Sequence, residues 1–172
     1  MRIIRIYRQH LPARRFIGKK YGDSDRTNGS FGAKWSEFFE NGWFDTIERA
    51  AVSPIGEGYE DGGAYVGLMR MKDGEPFEYW VGMFLPENTP VPEGFEFRDF
   101  AESELGVGWV YGPEWDLYGH EHEVAEKLAE EGIRIKNDKA GACWFFERYG
   151  CPRFTTPDEQ GNVILDIGFF VE

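Results

Sequence analysis

Cysteine is scarce in this chain. Cys143 and Cys151 are its only two, too few for a disulfide framework, and in a reducing compartment both stay thiols. No apolar run approaches the roughly 20 residues that span a bilayer. Met1–Lys20 carries seven Arg or Lys and no Asp or Glu, and it lacks the apolar core of a secretory signal. Basic residues are in deficit overall: 19 Lys and Arg against 31 Asp and Glu give a net charge of −12. That sign argues against direct nucleic-acid binding and suits a cationic or neutral ligand. No Gly-x-Ser-x-Gly elbow occurs, and neither cysteine has a legible histidine partner, so no acyl-transfer nucleophile is visible. His120-Glu121-His122-Glu123 fails as a metal helix, because histidines two apart do not share a helical face and a zinc helix needs them four apart. The run reads as a solvated helix start. Neither a metal nor another cofactor is expected, and the protein reads as cytoplasmic with no membrane contact.

What is present is apolar and aromatic. Hydrophobic residues make up 41% of the chain and aromatics 17%, with six Trp, enough for a packed core. Ile3–Arg8 is a β-branched run, interrupted at Leu11-Pro12-Ala13 and continued as strand by Arg15–Tyr21. A helix is expected from Ser30, with Phe31, Trp35, Phe38 and Phe39 on one face and a bend at Gly42 before Phe44 and Ile47. This stripe reads as core packing. The glycines of Pro54–Gly63 precede a strand rather than a helix, so they are not a phosphate cradle. Ala64–Met71 and Phe77–Leu85 form a hairpin, and the proline-rich 86–94 stretch is a rigid connector. Phe95–Asp99 and Leu105–Tyr111 are strands; Leu117, Val124, Ala125 and Leu128 line a helix that Gly132 ends. Ala142–Tyr149 and Val163–Val171 close the chain as a strand pair.

The two halves repeat each other weakly. Gly18, Tyr21 and Gly22 match Gly108, Tyr111 and Gly112 at one offset, and Val81-Gly82-Met83-Phe84 resembles Ile167-Gly168-Phe169-Phe170. Each half then reads strand, helix, strand, strand. The expected fold class is α+β: one domain over 1–172, made of two βαββ units at about 1–86 and 95–172. The units are related by a pseudo-twofold, in an antiparallel sheet with helices on one face and a ligand cleft between the halves.

Each closing strand carries one carboxylate, Glu147 and Asp166, in a run that otherwise favours burial. A charge there is costly unless paired, neutralised or awaiting a partner. Alternation puts Phe145 and Glu147 on one face of their strand and Trp144, Phe146 and Arg148 on the other. Trp109 and Tyr111 share a face of their strand, and Tyr65 and Trp80 sit in the first hairpin. The expected ligand-binding residues are therefore Tyr65, Trp80, Trp109, Tyr111, Phe145 and Glu147, an aromatic box with one carboxylate that attracts flat cations. A bridge from Glu147 to Arg148 or Arg153 is the structural alternative. In the repeat, Met69 takes the position of Glu147.

Trp109-Val110-Tyr111-Gly112-Pro113, Trp144-Phe145-Phe146-Glu147-Arg148-Tyr149 and Gly161–Phe169 together resemble the GyrI-like small-molecule-binding domain. This is also the effector-binding domain of AraC-type and multidrug-sensing transcription regulators. The resemblance implies a duplicated SHS2-type βαββ fold, a cleft for hydrophobic, often cationic compounds, and a pocket glutamate at Glu147. No helix-turn-helix is legible, so a stand-alone binding domain is expected. Some stand-alone members look like hydrolases that open the cyclopropane ring of DNA-alkylating natural products. In that alternative Glu147 would activate water, and Tyr111 would donate a proton or orient it. A further alternative is an interaction protein that binds a partner such as gyrase.

Overall fold

The computed structural model describes residues 1–172. Runs of β-branched and aromatic residues, punctuated by Gly, Pro and Asp, form eight strands. These are β1 (Arg2–Leu11), β2 (Arg14–Tyr21), β3 (Tyr65–Met71), β4 (Glu78–Pro86), β5 (Glu96–Phe100), β6 (Ser103–Gly112), β7 (Cys143–Tyr149) and β8 (Val163–Val171). Three helices accompany them: α1 (Gly32–Glu40), α2 (Trp43–Arg49) and α3 (Glu121–Glu130). The strands pair antiparallel in a single sheet of order β1-β6-β8-β7-β3-β4-β2-β5. The α+β class expected from the sequence is the one observed.

The order reads identically from either edge once each label is advanced by four. One detail differs from the sequence reading. Ile3–Arg8 and Arg15–Tyr21 do not continue one another: β1 pairs with β6 at one edge, whereas β2 lies between β4 and β5 near the other. Likewise β5, which follows the proline-rich connector, pairs back onto β2. Each edge strand is thus adjacent in sequence to one set of strands and hydrogen-bonded to the other, and two strands precede the helices in each half of the chain. Nothing in local alternation specifies such long-range pairing.

The helix expected from Ser30 is broken at Gly42, which takes φ 63° between α1 and α2, a left-handed conformation that costs glycine nothing. The break lets Phe38 of α1 and Phe44 and Ile47 of α2 all turn inward. They pack with Ile17, Val81, Met83, Phe145 and Ile167 of the sheet, and Val124 and Leu128 of α3 join the same cluster. The other sheet face buries Phe16, Leu68, Trp80, Phe84, Phe146 and Phe170 with no helical residue among them. All three helices therefore lie on one face. Each such side chain contributes about 1.5–3 kcal/mol on leaving water. None of the helices is long and apolar enough to cross a membrane.

Candidate functional site

Helix packing is uneven across the sheet. The two N-terminal helices contact β4, whereas α3 contacts β6, β8 and β1. The central pair, β3 and β7, is left as the floor of a cavity of about 940 Å³. Its floor follows from register: Tyr65 pairs with Tyr149, Gly67 with Glu147 and Met69 with Phe145, and five of these six side chains plus Tyr79 of β4 line the cavity, Gly67 having none. Phe31, Trp35 and Phe39 wall one side, and Glu114, Tyr118 and Glu121 the other. Cys151, Phe154 and Thr155 close one end.

The aromatic walls hold one another in place. Phe31 stacks on Tyr79 at 4.2 Å between centroids, and Trp35 meets Tyr149 edge-on at 4.9 Å. Tyr149 in turn meets Phe154 at 4.7 Å, and Tyr65 stacks on Phe44 at 3.7 Å. Trp35 Nε1 donates to Tyr79 Oη at 2.9 Å. That bond needs Gly67: a Cβ there would lie 2.5 Å from Tyr79 Oη. Gly67 is the residue paired across from Glu147, and the space a side chain there would take is filled by Tyr79 Oη and Trp35.

Glu147 is 8% exposed. Tyr149 Oη donates to its Oε2 at 3.0 Å. Burial pushes its pKa up to about 7, and the neighbouring Glu121 carboxyl adds to the rise, while the Tyr149 and Tyr79 hydroxyls oppose it. Burial likewise raises Tyr79 and Tyr149, helped by the Glu147 charge. Tyr118 is pushed up to about 12 by burial and then by Glu114 and Glu147.

No base answers Glu147. Arg148, the next residue, points through the opposite face, where its Nε donates to Asp166 at 2.8 Å and its Nη1 to Tyr59 and Gln9, each at 2.7 Å. Arg153 bonds Asp166 at 2.8 Å and Asp61 at 2.7 Å. The bridge from Glu147 to Arg148 or Arg153 is not formed; both guanidiniums serve Asp166 and Asp61. The one base lining the cavity, Arg26, sits over Phe31 at 4.4 Å and bonds Asp23 at 2.9 Å.

The structure brings together Tyr65, Phe145 and Glu147 of the residues singled out from sequence, and places the other three elsewhere. Trp80 is buried on the opposite face against Phe16, because in β4 it is Tyr79 and Val81 that turn toward the helices. Trp109 also lies on the opposite face, edge-on to Tyr7 at 6.0 Å and flanked by Arg5 and Arg153. Tyr111 shares its parity and donates to Asp158 at 2.5 Å, so its hydroxyl is committed away from Glu147. Tyr149 stands beside Glu147 in its place. His120 bonds Glu123 and the Asp116 carbonyl, and His122 pairs with Glu126. Glu121, between them, lines the cavity rather than facing solvent alone. The spacing of Phe31, Trp35 and Phe39, each four residues on, was the available signal for a cavity wall; Phe31, Phe38, Phe44 and Ile47 of the stripe are buried core, and Trp35 and Phe39 are not.

No protein-family model matches the chain, and no curated protein matches it. Solved structures do share its fold. SAV2435 bound to tetraphenylphosphonium superposes with a TM-score of 0.66 at 15% identity, over 98% of this chain and 94% of that one. A Staphylococcus aureus MU50 protein assigned to bacterial transcription regulation gives 0.63 at 15% identity, over 98% and 99%. The EcmrR C-terminal domain gives 0.60 at 12% identity, over 100% and 99%.

Proposed function

We propose that this chain is a GyrI-like binding domain that captures hydrophobic cations bearing flat aryl rings in the cavity over β3 and β7, with Glu147 as the counter-charge. The observation that carries the reading is a carboxyl more than nine-tenths buried among aromatic rings, with no cationic partner. Such a group is costly to ionise alone and gains from an incoming cation. Stacked and edge-on rings add cation–π attraction and exclude water. The neighbour that holds tetraphenylphosphonium supports the ligand class, since it shares this fold. In this reading residues 1–172 act as one domain, its two sets of strands meeting at the cavity floor.

Titration with tetraphenylphosphonium, followed by quenching of tryptophan fluorescence, tests the reading. Glu147→Gln keeps the shape and removes the charge. Loss of a buried charge pair costs about 2 kcal/mol or more, so the variant should bind at least ~30-fold more weakly. Equal affinity in both proteins would refute the counter-charge role.

A further inference from the structure

Three carboxyls line the cavity, Glu114, Glu121 and Glu147, and Glu121 is the one that acts most strongly on Glu147. Glu121 is the first residue of α3 and Glu147 lies mid-strand on β7, so the pair is assembled by tertiary packing from elements 26 positions apart. Both line the cavity, and the Glu121 carboxyl is among the groups that raise the Glu147 pKa. No base lies between them: Arg26 is engaged by Asp23 and the Gly29 carbonyl. The other polar groups around the pair are Glu114 and the Tyr79, Tyr118 and Tyr149 hydroxyls.

The walls beside this pair are flat rings, Phe31, Trp35 and Tyr149 among them. Resting on the binding reading above, we infer that the Glu121–Glu147 pair makes the cavity selective for flat cations that carry several N–H groups, aryl amidinium or aryl guanidinium, over cations with none. A planar N–H fork donates to both carboxyls at once while its face lies on the rings, and charge-assisted bonds of this kind are about twice as strong as neutral ones. An amidinium is also more weakly hydrated than a primary ammonium, so it enters an apolar cavity more readily. A quaternary or tetra-aryl cation meets the same aromatic walls and the same Glu147 charge, but makes no hydrogen bond and gains little from a second carboxyl.

Calorimetric titration at pH 7.5 with biphenylcarboxamidine and with biphenyltrimethylammonium, matched in aromatic body and charge, tests the inference on wild type and Glu121→Gln. Wild type should bind the amidine at least ~10-fold more tightly than the quaternary compound. Glu121→Gln should cut that preference at least ~3-fold, the N–H bonds to Glu147 keeping the remainder, while weakening the quaternary ligand no more than ~3-fold. Glu121 is half-exposed at a helix start, and an unchanged thermal melt confirms that the variant folds. Equal affinities in wild type, or a preference that Glu121→Gln leaves undiminished, would overturn the two-carboxyl selectivity and leave the cavity reading intact. If neither compound nor tetraphenylphosphonium binds wild type, the cavity reading falls and takes the selectivity with it.

Discussion

On β7, neighbouring residues carry opposite charges to opposite faces of the sheet. Arg148 enters a closed arrangement with Asp166, Asp61, Tyr59 and Gln9, whereas Glu147 meets only hydroxyls and another carboxyl. The first arrangement is satisfied; the second is not. Its signature is a pH dependence. The folded pKa of Glu147 is about 7 against an ordinary 4.5. Between these values the native state holds a proton that the unfolded state has lost, so stability falls as pH rises through this window and levels off above it. Relative to Glu147→Gln, wild type should lose on the order of 2–3 kcal/mol between about pH 4.5 and 7.5, measured by urea unfolding of both proteins. Taking the difference cancels carboxyls held low by hydrogen bonds, such as Asp138 and Asp158. A constant gap across that range would mean that Glu147 titrates normally.

At the scale of elements, β3 supplies the room and α1 the wall. Gly67→Ala would place a methyl 2.5 Å from Tyr79 Oη and 3.4 Å from Trp35, forcing apart the bond between those two side chains. Overpacking of this kind costs about 1–3 kcal/mol, and the variant should lose both stability in urea and affinity for tetraphenylphosphonium. Unchanged values for both would show that the floor is more pliable than the packing indicates. Much of this element-level picture was legible beforehand. Strict alternation paired Phe145 with Glu147, and the glycine at 42 announced the break between α1 and α2. What alternation does not give is which face of a strand meets the helices when both faces are apolar. Tyr79 and Trp80 are equally suited to burial, and only the register against β2 and β3 assigns Tyr79 to the cavity. Glu121 was hidden for a different reason. Its sequence neighbours His120, His122 and Glu123 belong to an exposed helix start, and a half-exposed first-turn glutamate gives no local sign that it faces a cleft.

Across the whole molecule, the cavity is a consequence of strand order. Crossing the edge strands over places β3 and β7 at the centre, and helices packed toward β4 on one side and β6 and β8 on the other leave that centre uncovered. An excess of acidic groups over the chain, net −12, adds a weak long-range attraction for cations that salt would screen. The local term at Glu147 is the larger, because a buried carboxyl is screened far less. A structure of the protein with tetraphenylphosphonium tests the central claim most directly. The cation should lie over β3 and β7, its rings against Trp35, Tyr65 and Tyr149 and its charged centre toward Glu147. A cation bound instead on the opposite face, in the groove beside Trp144 and Phe170, would contradict the account.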